Sequence, residues 1–301
     1  MNSYTREGFW QRLNSIAPLS LAGSWDNVGV LLDPDPPPHV TTLSSEKILL
    51  TIDLTEDVFE EALANDYTII VTYHPIIFGG LKRLTQQNAQ TRILLKAAQK
   101  GIGVYSPHTA LDAVKGGVCD WLAASIITPL EEEVGLAHAL TKTAELFASY
   151  APIEVNSDDH DQGAGRICTL PHPLSLEAIC QRLEQRLNQN LSPQQNRVYL
   201  RIVTPRGLTP SQLMIKTLAL CPGAGGSLFE SLQHVDLLIT GEMRHHDLLH
   251  VSQRGGSVIL TEHSRCERGF LSFYQQFIER SIDVFVSCAQ SDDDPLSLFI
   301  Q

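Results

Sequence analysis

Short, almost continuous apolar runs alternate with segments of helical spacing, and this alternation constrains the fold more than any other feature of the sequence. KILLTIDLT (47–55) has strand length, EDVFEEALAND (56–66) follows with helical periodicity, and YTIIVTYH (67–74) is a second strand. TRILLKAAQK (91–100) reads as a helix, GIGVYSPH (101–108) as a third strand and KGGVCDWLAASI (115–126) as another helix. Strands that are apolar at nearly every position are covered on both faces. The βαβαβ order therefore predicts a mainly parallel sheet with helices packed over it.

The pattern weakens between about 127 and 165, where EEEVGLAHAL and NSDDHDQGAG read as linker or loop. A second set follows: the strand GRICTL (165–170), a helix through PLSLEAICQRLEQRL (173–187), and the strands RVYLRIV (197–203) and MIKTLALC (214–221). The first style then returns. VDLLITGE (235–242), SVILTEH (257–263) and DVFVSCAQ (283–290) alternate with helical patterns at 242–254 and 265–280. We expect two α/β domains. The outer one is built from both chain ends, 1–126 plus 235–301, and the central one, 127–234, is inserted.

Three strands of this outer domain end in a histidine: His74, His108 and His263. In open α/β sheets the loops at the carboxyl ends of parallel strands line the crevice where ligands bind. His108 is followed four residues later by Asp112, and His263 by Glu267. On a helix such pairs share a face and could grip one ion. Pro75 holds His74 extended. Imidazole and carboxylate without paired thiolates suit zinc, manganese, iron or nickel, and a carboxylate can bridge two ions. A hydrogen-bonded structural histidine fits the same spacing, which leaves both readings open.

Composition removes other classes. A net charge of −12 argues against direct binding of nucleic acid, which needs a basic surface. The six cysteines contain no CxxC pair and read as reduced, mostly buried thiols. The N-terminal segment has no apolar signal core, and no run approaches membrane-spanning length. The expected location is the cytoplasm, with nuclear or mitochondrial entry left open.

SWDNVGVLL (24–32), YHPIIF (73–78), SPHTALDA (106–113), LITGEMRHHD (238–247) and EHSRCERGFL (262–271) occur in that order. Together they resemble the NGG-one-interacting factor three family, the Nif-three-like proteins, and especially its eukaryotic branch. The resemblance implies the Nif-three-like fold: a two-domain α/β protein whose cleft holds a pair of divalent metal ions, a dinuclear metal site. Carried over by position, the ligands are His74, Asp112, His263 and Glu267, with His108 lining the site. Many bacterial members have two consecutive histidines where this chain has Tyr73 and His74. A phenol does not replace an imidazole, so one or two ions per chain are expected. Eukaryotic-type members share the tyrosine. The family also implies a homo-oligomer.

Further residues have plainer readings. Glu242 and His246 follow a strand and are expected to line the site, while His246 and His250 at i,i+4 form a weaker second ligand pair. CPGAGGS (221–227) is a tight turn or a phosphate cradle, although it lacks the Lys-Ser/Thr ending of a P-loop. Asp26 and Asn27 read as turn residues, and Cys266 as a packing residue. Two functions remain. One is a metal-dependent hydrolase acting on a nucleotide or phosphorylated small molecule, with His108 as the catalytic base; bacterial relatives carry the label GTP cyclohydrolase I type two. The other is a regulatory or metal-handling protein that acts through protein partners, of the transcriptional co-regulator type. No membrane association is expected of either.

Overall fold

The computed structural model of the protein describes residues 5–128, 142–189 and 197–297. Its chain divides into two compact α/β units, one formed by the chain up to Leu111 with Leu271–Pro295, the other by Asp112–Phe270 with the chain from Leu296. Of the expected linker, EEEVGLAHAL lies outside the described residues.

The first unit is built on five strands: β1 (Gly29–Leu32), β2 (Lys47–Thr51), β3 (Ile69–Thr72), β4 (Gly103–Ser106) and, last among the described residues, β13 (Phe285–Cys288). Their order is β1-β4-β3-β2-β13, parallel throughout except for β1 on β4. Both faces are covered, which is why β2, β3 and β4 are almost wholly apolar. Leu49, Ile70 and Val104 point to one face and meet Val58, Phe59, Ile93 and Ala97 from helices Glu56–Ala64 and Ala89–Lys100. Tyr105 points to the other face, where its ring stacks on Trp10 of helix Glu7–Ile16 at 6.1 Å. Helix ends carry the expected signals. The Thr55 hydroxyl accepts the Val58 amide, and Gly101 closes helix Ala89–Lys100 in the left-handed conformation.

The second unit holds β5 (Ser149–Ala151), β8 (Arg166–Ser175), β9 (Arg201–Val203), β10 (Met214–Cys221), β11 (Leu237–Thr240) and β12 (Ser257–Leu260), in the order β5-β8-β10-β11-β12-β9. Its centre, β10-β11-β12, is parallel, and the outer pairings are antiparallel. A small hairpin joins β6 (Glu154–Val155) to β7 (Gly163–Ala164), so the acidic NSDDHDQ stretch forms its tip. Helix Val118–Ile127 packs on helix Leu176–Asn188 and on β8 and β10, and it is buried nearly all round.

Strand pairing draws the boundaries differently from the sequence expectation, which put 115–126, 235–242 and 257–263 in the outer domain. β11 and β12 are bonded to β10, and helix Val118–Ile127 packs in the second unit. Apolar periodicity identifies a parallel strand but not its neighbour. The single helix expected over 265–280 is two, Arg265–Arg268 and Leu271–Ser281.

Candidate metal centre

Three histidines, His74 and His108 in the first unit and His263 in the second, lie just beyond the carboxyl ends of parallel strands, where such a sheet offers side chains to a ligand. In the first unit, Tyr73 and His74 extend β3: their amides donate to the Thr51 and Ile52 carbonyls at 2.8 and 3.0 Å. The chain beyond β2 supplies Asp53, and the His74 Nδ1 donates to Asp53 Oδ1 at 2.9 Å. His108 follows β4 and starts helix His108–Ala113. Its Nδ1 lies 2.8 Å from both oxygens of Asp26, a side chain fully withdrawn from solvent. Burial pushes the Asp26 carboxyl up, but hydrogen bonds from His108, Thr109 and the Asn27 amide outweigh it and hold the carboxyl below its usual value. The His74 and His108 rings are 5.5 Å apart, with the buried Tyr73 ring 5.1 and 5.6 Å from them.

In the second unit, β12 runs on into Glu262 and His263, and β11 into Gly241 and Glu242. The His263 Nδ1 donates to Glu242 Oε1 at 2.8 Å. Glu267, buried on the short helix Arg265–Arg268, lies beside His263 against the turn after β10. Gly223 in that turn has φ +60°, and a Cβ there would lie 2.9 Å from Glu267 Oε1 and 3.2 Å from His263 Nε2. Only glycine lets the backbone approach this pair so closely. The turn is pinned from below: the Gly223 carbonyl accepts the Glu242 amide at 3.0 Å and the Thr240 hydroxyl at 3.1 Å. CPGAGGS thus closes over the histidine–carboxylate pair.

Asp112, half-buried, has its charge close enough to raise the thiols of Cys221 and Cys266, after the larger effect of burial. Glu267 acts on the same two thiols, so both carboxylates face one buried neighbourhood. Cys266 packs as expected, its Sγ accepting the Gly223 amide and donating to the His263 carbonyl. His246 is exposed, with its ring against His245 at 5.5 Å. His250 lines a separate pocket of about 620 Å³ with Val235, Arg254 and Gly256, at the amino ends of the strands, and so does not pair with His246 at the strand-end site.

One pattern recurs in all three strand-end histidines: a carboxylate oxygen sits on Nδ1, the arrangement that leaves Nε2 to face a ligand. Metal-ligating histidines are oriented in this way. Two of the orienting carboxylates have no functional reading in the sequence. Asp53 was read as part of a strand, and Asp26 as a turn residue, although the repetition of Asp and Glu just beyond strand ends was a usable signal.

The family model for Duf34/NIF3 (NGG1p interacting factor 3) matches residues 4–295. The chain belongs to this family. Among its relatives, the protein NIF3 homolog of Schizosaccharomyces pombe is 39% identical over 95% of this chain and 95% of its own. The NGG1-interacting factor 3 of Saccharomyces cerevisiae is 35% identical over 91% and 90%. A crystal structure of the Staphylococcus aureus hypothetical protein SA1388, 24% identical, superposes with a TM-score of 0.70 over 97% of this chain and 98% of that one. This shared Nif-three-like fold agrees with the expectation from the five motifs.

Proposed function

We propose that His74, Asp112, His263 and Glu267 hold one or two divalent ions, and that the protein is a metal-dependent hydrolase of a nucleotide or another phosphorylated small molecule. The observation that carries this reading is the set of three histidines, each aimed by a carboxylate on Nδ1. His74, His263 and Glu267 each offer one atom of the type that zinc, iron, manganese or nickel takes. The cradle at Gly223 favours the same view, since the backbone leaves a Cβ-sized space at the His263 and Glu267 donor atoms.

An ion bound by these residues would lower the pKa of a water and polarise the scissile group. The chain supplies the rest. Asp53 and Glu242 hold the two ligand rings in orientation. His108, with Nδ1 fixed on Asp26, keeps Nε2 as a proton acceptor and serves as general base. Tyr73, Glu242 and His246 line the site, and assembly as a homo-oligomer belongs to the same reading. The budding-yeast relative's name, an interacting factor, favours a second reading: a regulatory protein with protein partners, whose metal is structural or carried.

Activity decides between them. Metal-loaded protein, purified without a histidine tag, is assayed against nucleotides and sugar phosphates with and without added metal. The hydrolase reading expects turnover that needs metal and falls by about 10²-fold or more in His108→Ala. Undiminished turnover in that variant removes His108 as base. No turnover of any of these compounds sinks the hydrolase reading and leaves the partner-binding one.

A further inference from the structure

Trp25 and Phe78 are large apolar side chains left 66% and 56% exposed beside His108. Their rings meet edge to face, 6.1 Å apart at 65°, so they do not cover each other. Each stands nearly perpendicular to the His108 imidazole, at 6.3 and 6.1 Å. The chain holds the Trp25 ring and the backbone beside Phe78. Trp25 sits in a turn closed by the Asp26 amide on the Gly23 carbonyl, and its indole crosses Gly23 so closely that a Cβ there would lie 2.9 Å from Nε1. The Gly23 amide in turn donates to the Thr109 hydroxyl. Phe78 follows Ile77, whose carbonyl accepts the Asn27 side-chain amide. Two adjacent residues thus do parallel work: Asp26 holds His108, and Asn27 holds the backbone next to Phe78.

Exposed aromatics standing beside a candidate catalytic base suit a flat ligand. A planar heteroaromatic ring gains dispersion and stacking against such faces whatever its edge groups, and this arrangement would leave the rest of the ligand near His108. We infer that Trp25 and Phe78 form a stacking subsite for a planar heteroaromatic ring, of the kind a nucleobase supplies. This rests on the proposed function in placing the ligand at His108, and it narrows the substrate class from phosphorylated compounds in general to those bearing such a ring.

Trp25 also provides its own readout. Of the three tryptophans, Trp10 and Trp121 are buried, so Trp25 is the indole that a ligand can reach. Adenosine and guanosine monophosphates, with ribose phosphate as control, are titrated into the metal-loaded protein while indole fluorescence and, by equilibrium dialysis, bound ligand are followed. The inference expects quenching by both purine monophosphates and none by ribose phosphate. Trp25→Phe should lose the quenching but keep affinity within about threefold, whereas Trp25→Ala and Phe78→Ala should each lose about tenfold or more.

Equal affinity in Trp25→Ala and wild type overturns the subsite. Ribose phosphate bound as tightly as the purine monophosphates also overturns it, while leaving a hydrolase of phosphorylated compounds in place. Quenching and a weakened alanine variant without any turnover sustain the subsite and sink the hydrolase. If the alanine variants change the oligomeric state in sedimentation and leave nucleotide affinity unchanged, the pair is a contact between copies of the chain and the inference falls.

Discussion

Asp53 touches no proposed ion, yet it fixes which nitrogen of His74 carries the proton and where the other one points. Losing such a partner typically costs a site about 10–100-fold in affinity. Asp53→Ala should therefore weaken metal binding by that factor in competition with a fluorescent zinc chelator, with the thermal transition still cooperative. Unchanged affinity would mean that the His74–Asp53 bond is only structural. The histidines themselves were legible because each interrupts an apolar run. Two of their carboxylates were not, since Asp53 and Asp26 lie 21 and 82 residues from the rings they hold. Backbone strain occurs at two of these places: His108 itself and Glu262, next to His263, have positive φ, at 32° and 66°, while Asp66, just after helix Glu56–Ala64, has one of 55°. Non-glycine residues keep such angles where the surrounding structure over-determines them.

At the scale of elements, Asp236 ties β11 to β10. Its Oδ2 accepts the Lys216 and Thr217 amides at 2.9 and 2.8 Å and the Thr217 hydroxyl at 3.0 Å. Burial pushes this carboxyl up, but those bonds prevail and lower it from its ordinary 3.8. Asp236→Ala should cost about 2 kcal/mol at neutral pH in urea unfolding, the scale of hydrogen bonds to a charged group. A folded-state pKa below the unfolded one gives stability that is complete above the unfolded value and is lost as pH falls through the folded one. The gap between variant and wild type should thus hold down to about pH 4 and shrink below it; a gap that stays constant to about pH 3 would contradict this account.

Element identity was legible where periodicity was strong, as in Glu56–Ala64 or Met214–Cys221. Element partnership was not, because the ladder bonds of β11 and β12 leave no mark in their own residues. The break between Arg265–Arg268 and Leu271–Ser281 was hidden for a similar reason. Gly269 lies against the Trp121 ring, where a Cβ would come within 2.7 Å, and that neighbour is remote in sequence.

Across the whole molecule, both units follow one plan: parallel strands, several of which run on into a histidine or carboxylate, as β3, β4, β11 and β12 do. The acidic chain favours cations in general through its net charge of −12, so bulk attraction has to be separated from a built site. Metal content by mass spectrometry does this most directly, on protein purified without a histidine tag and dialysed against micromolar divalent metal, in wild type and in Glu267→Ala. Wild type should retain about one or two ions per chain, lost in the variant. A wild type that retains no ion, or a variant that retains as many as the wild type, would contradict a built site.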